Sequence, residues 1–359
     1  MDLESLRRKI DGIDEEIVRL LDERVDVALE IGKLKGASGM PHYAPGRELE
    51  VYERVASLGK GQMPPEALKA IYREVMSATL SLQKRTTVAY WGPAGTFTHQ
   101  AAMTKFGSSC DYLPEATIAE VFTVVRKGKA DFGVVPIENS TEGVVNYTLD
   151  MLIDSELLVC SEIMLPISHN LIGKGQLADV KKVYSNPTAM AQCRRWLESN
   201  IPSAELIDVS TTSRGAELAA KEGRLAAAIA GRLAAELNGL DVIAERIEDA
   251  TDNFTRFLVV GKSDSAATGR DKTSVVFATR HKAGALYDAL YFFKKYGVNL
   301  TMIESRPSGR RAWEYFFFVD FEGHREDSKV KDALRDLSEE ALFVRVLGSY
   351  PQAEGANGA

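Results

Sequence analysis

"GVVPIENSTEGVV", Gly133 to Val145, shows what kind of fold this chain builds. An apolar run reads as a buried strand that runs into Pro136. Glu138, Asn139, Ser140 and Thr141 follow before the next helix. Capping accounts for Ser140 or Thr141 with Gly143, but it does not need all four polar residues. "YSNPTAMAQC", Tyr184 to Cys193, repeats the design: a strand end, Ser185 and Asn186, then a helix that carries Gln192. Around these stretches, short β-rich runs at 87–91, 132–136, 157–163, 183–185, 225–229 and 257–260 alternate with helical ones such as 117–126 and 189–199. That alternation predicts an α/β sandwich with a largely parallel sheet. Ligands in open α/β sheets bind outside the carboxyl ends of strands, so the polar ends are candidate walls of a site.

A third polar cluster stands before a strand in "IEDATDNFTRFLVVG", Ile247 to Gly261. Asp249, Asp252, Asn253, Thr255 and Arg256 precede an apolar run at 257–260. Alone, it reads better as a loop satisfying its own hydrogen bonds than as the edge of a site. "GPAGTFTHQAA", Gly92 to Ala102, is a strand-to-helix turn with Thr96 capping. It matches neither glycine-rich phosphate fingerprint, although free N–H groups at a helix start receive carboxylates well.

The amino-terminal region has a different texture. Residues 3 to about 35 form one predicted helix, with Leu3, Leu6, Ile10, Ile13, Ile17, Leu20, Val27, Ile31 and Leu34 on heptad positions a and d. Two helices follow at about 45–58 and 65–84. The seam is interrupted at Arg24, which either turns its head to solvent or lies buried and demands an anion. Lys35 falls on nearly the same face, roughly 16 Å along the helix, whereas Arg7 lies roughly 42 Å from Lys35. Arg7 and Lys35 therefore cannot hold one small molecule within a single chain. At the other end, "GKSDSAATGRDK", Gly261 to Lys272, reads as a linker. The order βαββαβ beyond it, with one strand at 313–321, predicts a ferredoxin-like unit.

With 359 residues, 45% hydrophobic and 26% charged, the chain is a multidomain globular protein by composition. A net charge of −7 argues against nucleic acid as a partner. Three scattered cysteines suit a reducing compartment, and five isolated histidines offer no metal site. The start is charged and no apolar run of membrane length occurs, so a cytoplasmic location is expected. No cofactor is implied.

The quoted motifs carry three resemblances. "LRRKID", "ERVDVALEIGKLK", "RELEVYERV" and "SATLSLQK", within the first 84 residues, resemble an AroQ-class chorismate mutase, an intertwined helical dimer. That resemblance implies a substrate site of Arg7 from one chain with Arg24, Lys35, Arg47, Glu48, Thr79 and Gln83 of the other. Lys35 and Gln83 would stabilise the ether oxygen as its C–O bond breaks. Ala44 departs from members that carry an acidic residue there. From about 87 to 262 the chain resembles prephenate dehydratases, which have a two-lobed fold like that of type II periplasmic binding proteins. The resemblance makes Thr255 central, with Arg256, Glu138, Asn139, Ser185 and Gln192 as further catalytic residues. "SNPTAMAQC" departs from the commoner Ser-His-Pro-Gln form at Asn186 and Thr188.

Prephenate leaves as phenylpyruvate, CO₂ and water. The step needs a donor at the departing hydroxyl and no strong acid, a role that suits a threonine. Arg256 stays open between carboxylate anchor and scaffold; His99 and His169 read as structural. Finally, "GALYDAL", "IESRPS" and "WEYFFFVDFEGH" resemble an ACT domain. It implies phenylalanine as effector at Gly284, Ala285, Leu286, Glu304, Ser305, Arg306 and Pro307. The expected divisions are 1–85, 86–262 and 272–351. Chorismate and prephenate are the expected substrates, and the expected assembly is a homodimer or higher. Three alternatives remain: a dehydratase whose first module is mainly a dimerisation arm, one that takes arogenate, or a two-lobed amino-acid sensor without turnover.

Overall fold

The computed structural model describes residues 2–38, 43–307 and 315–353. They form two compact units, one of residues up to Thr86 with Phe106–Asp111, the other of the remainder. Trp313 and Ser308 lie outside the described residues.

The first unit is built on three helices, α1 (Leu3–Ala37), α2 (Pro45–Leu58) and α3 (Pro65–Gln83). Asp2 caps α1 by accepting from the Ser5 amide at 2.7 Å, and Lys35 places a cation in the last turn. Of the 35 residues of α1, only Gly32 is buried within the chain. The whole heptad seam stands exposed, from Leu3 and Ile10 to Ile31 and Leu34. So long an apolar stripe marks an interaction face.

In chain order the second unit continues with β1 (Thr87–Trp91), α4 (Phe97–Phe106), β2 (Asp111–Glu115), α5 (Ile118–Arg126), β3 (Phe132–Asn139), β4 (Gly143–Val144) and α6 (Asn146–Asp154). Next come β5 (Leu158–Pro166), β6 (Asn170–Gly173), β7 (Lys182–Ser185), α7 (Pro187–Gln192), α8 (Arg194–Asn200), β8 (Glu205–Asp208) and α9 (Thr212–Glu222). β9 (Ala226–Ala230), α10 (Arg232–Asn238), β10 (Asp241–Ala244) and β11 (Phe254–Gly261) complete two lobes. Each lobe has its own mixed sheet, ordered β2-β1-β3-β11-β5 with β4 beside β3, and β10-β6-β9-β7-β8. The expectation of a largely parallel sheet is therefore corrected. β11 returns from the second lobe to lie antiparallel between β3 and β5. β9 is alanine except for Ile229, and helices press on both of its faces, Ala189 and Met190 on one side and Ala216 and Ala219 on the other.

The C-terminal module has β12 (Asp271–Ala278), α11 (Ala285–Lys295), β13 (Leu300–Pro307), β14 (Tyr315–Glu322), α12 (Ser328–Glu340) and β15 (Phe343–Pro351). Its antiparallel sheet runs β13-β14-β12-β15. Strand alternation sends Val275, Phe277, Val319 and Phe321 to its own helices. The other face delivers Val276, Phe316, Phe318, Leu347 and Tyr350 into the core of the first lobe, against Ile137, Leu149 and Leu258. Residues 261–272 are thus not a loose linker. Ser265 is buried and donates to the Cys160 carbonyl at 2.8 Å, and β12 already begins at Asp271. At Gly348 a side chain would meet the Val159 carbonyl oxygen at 2.1 Å, so only glycine lets β15 cross β5 so closely.

Candidate active sites

In the first unit, Arg24, Lys35, Arg47, Glu48, Thr79 and Gln83 all line one cavity of about 530 Å³. Arg24 is half-buried, donates to Thr79 Oγ1 at 3.3 Å and stands 6.0 Å from the Tyr72 ring centroid. Glu48 is held by two phenols, Tyr43 at 2.8 Å and Tyr52 at 3.1 Å. Gln83 Nε2 donates to the Ala28 carbonyl at 2.8 Å, and its carboxamide lies over Gly32. A Cβ on Gly32 would sit 2.7 Å from Gln83 Oε1, which explains a glycine inside a long helix. Arg47 is exposed and pairs with Glu50. Arg7 is exposed and is not among the residues lining this cavity. These groups can fold and hold a small dianion; none is placed as a nucleophile.

The second site is a cavity of about 260 Å³ in the other unit. β11 begins at Phe254, three residues before the apolar run, so Thr255 and Arg256 are both strand residues and face opposite sides. Thr255 lines the cavity and Arg256 does not. Asn139 Oδ1 accepts from the Thr141 and Glu142 amides at 3.0 and 2.9 Å, which settles its carboxamide orientation. Its Nδ2 then donates to Thr255 Oγ1 at 2.8 Å and to Asn253 Oδ1 at 2.7 Å. Because the Thr255 oxygen is the acceptor in that bond, its own proton is not used there. Across the cavity, Gln192 donates to Glu142 at 3.1 Å and its Oε1 accepts from Asn253 at 3.1 Å and from His169 Nε2 at 2.8 Å. A chain of amides therefore spans both lobes and ends on the threonine hydroxyl.

Three expected residues lie elsewhere. Ser185 is fully buried beneath the cavity, where its hydroxyl donates to the Ile229 carbonyl at 2.8 Å. Glu138 alternates away from Asn139 and is not part of the wall; Glu142 takes that place. Arg256 is buried in an ion cluster, as described below. In their stead the wall includes Asn186, Thr188 and the starts of α4 and α9, with Thr96, Thr98, Ser210, Thr211 and Thr212. Among the described residues no lysine or arginine lines it. A carboxylate there would be received by helix N-termini and hydroxyls.

Two buried histidines of the lobes, His99 and His169, are held toward the neutral form. Burial lowers the pKa of His99, whose Nδ1 accepts from the Gly95 amide and whose ring stacks on Tyr90. Burial also lowers that of His169, with Gln192 and Glu248 opposing. Between the ordinary value of 6.5 and the lowered value, the unfolded chain binds more protons than the folded one. Stability hence rises with pH across that window and is lost on acidification through it. Thermal unfolding at pH about 5.5 is expected several degrees below that at pH about 7.5, with a smaller difference in His169→Gln. An unchanged melting temperature would contradict this.

In the third module Gly284, Ala285 and Leu286 line a cavity of about 240 Å³ with Arg280, His281 and Tyr315. Glu304, Ser305, Arg306 and Pro307 do not line it; they lie on β13, where Arg306 pairs with Asp150 of α6 at 2.8 Å.

With the helical unit, the two-lobed unit and the four-stranded sheet described, comparison with known proteins gives the class. Residues 6–84 match the family model for chorismate mutase type II, 88–265 that for prephenate dehydratase, and 273–339 that for the ACT domain. The chain belongs to the bifunctional chorismate mutase/prephenate dehydratase family. A bifunctional chorismate mutase/prephenate dehydratase of Aquifex aeolicus is 50% identical over 98% of both chains. One of Neisseria gonorrhoeae is 46% identical over 97% of this chain and 96% of its own. The crystal structure of a prephenate dehydratase from Arthrobacter aurescens in complex with L-Phe matches 75% of this chain and 91% of its own, with a TM-score of 0.70 and 38% identity.

Proposed function

We propose that the protein rearranges chorismate to prephenate in its helical unit and converts prephenate to phenylpyruvate in the two-lobed unit. The observation that carries the second step is Thr255 Oγ1 accepting from Asn139 inside the cavity. Its proton can meet the ring hydroxyl as that group leaves, while CO₂ departs and the ring becomes aromatic. The donor acts where charge develops and needs no shifted pKa. Helix starts at α4 and α9 receive the carboxylates. Asn139, Gln192 and Thr255 carry the dehydratase site, with Glu142 and Asn253 added to it.

The mutase step needs no proton transfer. Arg24, Lys35, Arg47, Glu48, Thr79 and Gln83 compress the substrate and stabilise its breaking ether bond, joined by Arg7 of a second copy. The exposed seam of α1 supports a homodimer as the unit that covers it. The C-terminal module binds phenylalanine at the cavity walled by Gly284, Ala285 and Leu286 and lowers activity. Glu304, Ser305, Arg306 and Pro307 contribute through β13. Divisions at 1–85, 86–262 and 272–351 and a cytoplasmic location complete the reading; among the described residues no helix is long and apolar enough to cross a membrane.

Following chorismate, prephenate and phenylpyruvate over time, with and without phenylalanine, tests the whole scheme. Prephenate persisting after its addition would sink the dehydratase assignment. Asn139→Ala, which releases the Thr255 hydroxyl and removes an amide from the chain, is expected to lower kcat for prephenate by about 10–100-fold. A loss below twofold would contradict the orienting role of Asn139.

A further inference from the structure

We infer that Arg256 is a positioning residue for the dehydration, through which the C-terminal module fixes the strand that presents Thr255. This rests on the dehydratase reading above and goes beyond it.

Arg256 follows Thr255 on β11 and points the opposite way, out of the cavity and into the interior between the first lobe and the C-terminal sheet. All three guanidinium nitrogens are engaged. Nε donates to Glu162 at 2.7 Å, Nη1 to Asp320 at 2.5 Å and Nη2 to the Tyr350 hydroxyl at 2.9 Å. Lys272 binds the same Glu162 at 3.0 Å, and Ser274 meets the Tyr350 hydroxyl at 2.6 Å. The side chains of Arg256, Glu162, Asp320 and Lys272 are 8%, 0%, 4% and 6% exposed. The cluster holds two cations and two carboxylates and is neutral as a set. Glu162 belongs to the first lobe; Lys272, Ser274, Asp320 and Tyr350 come from β12, β14 and β15 of the C-terminal module.

β11 pairs with β5 in unbroken register from Phe254 to Val259. Against β3 its register breaks between Arg256 and Phe257, so on that side, where Asn139 meets Thr255, the ladder alone constrains the twist of the strand less. A planar fork bound at three points supplies that constraint. Burying such a cluster costs desolvation that an apolar core avoids, so orientation is what it adds. β14 also carries Tyr315 and Phe317 in the third cavity and Asp320 in the cluster, so one strand runs from that cavity to the anchor.

Prephenate would touch Thr255 and not Arg256. The test uses the full chain and four variants: Arg256→Lys, which keeps charge but loses the fork, Asp320→Asn, Tyr350→Phe and the Arg256→Lys/Asp320→Asn pair. Each is assayed for kcat and KM with prephenate and for chorismate consumption, with a thermal melt. The expected result is kcat lowered about 10–100-fold in Arg256→Lys and Asp320→Asn, as misplacement of about 1 Å produces. KM should stay within about threefold and chorismate consumption should persist. The double variant should be little worse than the poorer single one. Tyr350→Phe removes one hydroxyl and keeps the ring, so it should melt near the wild type and still lose kcat. A tenfold rise in KM with kcat preserved in Arg256→Lys would make Arg256 a substrate anchor and overturn the inference. So would kcat within twofold of wild type in both Asp320→Asn and Tyr350→Phe. A wild-type protein that leaves prephenate unchanged would remove the dehydratase reading and this inference together, a result separable from variants that merely match an active parent.

Discussion

Thr255→Ala is expected to reduce prephenate turnover by about 10²–10³-fold, the scale on which removing one transition-state donor acts. Chorismate consumption should be unchanged. The size follows from the site's composition. The other ionisable groups of the wall are engaged elsewhere: burial lowers the pKa of His169, whose Nε2 donates to Gln192, and Glu142 accepts from Gln192. Asn139 would keep its bonds to Asn253 and its backbone partners, so the cavity should retain its shape and KM should move little. The measurement is kcat and KM on prephenate for the purified variant beside its chorismate consumption. Retention of a tenth of the wild-type rate would require another proton source.

Arg24→Ala should do the reverse, lowering chorismate consumption by about 10²–10³-fold and leaving prephenate turnover intact. Arg24 is the cation that interrupts the α1 seam, fixed by Thr79 and set beside Tyr72 in the wall it shares with Lys35. Truncation removes a positioned charge from a reaction that depends on little else. Mixing Arg7→Ala and Arg24→Ala chains provides a second readout. Confirmed heterodimers should regain part of the mutase rate, because one of their two sites has both arginines. No recovery would place Arg7 outside the site.

Asn139 and Thr255 line the second unit's cavity from the polar end of β3 and the polar start of β11, and Gln192 lines it from the end of α7, the helix that follows the polar end of β7. In the wall of the first unit's cavity the heptad seam marks Arg24 and helical spacing marks Lys35, whereas Arg47, Glu48, Thr79 and Gln83 follow only from the resemblance. Ser185, expected in the second unit's cavity, does not line it. At the end of β7 it has a backbone partner on β9, 44 residues away, which no local pattern reveals. Asn253 stood in the quoted polar cluster, yet its partners Gln192 and Asn139 lie 61 and 114 residues distant. Arg256 turned on a boundary. With β11 begun at residue 257, Thr255 and Arg256 look like neighbours in one loop; begun at Phe254, strand alternation sends them apart. The supposed linker misled because small polar residues also suit a tightly bonded crossing, such as the turn that Thr268 and Gly269 make on Asp271.

The sheet face that completes the first lobe's core bears on how such a chain can be rearranged. A polypeptide ended after β11 would leave Ile137, Leu149 and Leu258 without their cover and Glu162 and Arg256 without Asp320 and Tyr350. Gene fusions and truncations that persist should therefore cut before residue 87, never between 261 and 271. The dehydratase lobes and the C-terminal sheet are in that sense one heritable piece.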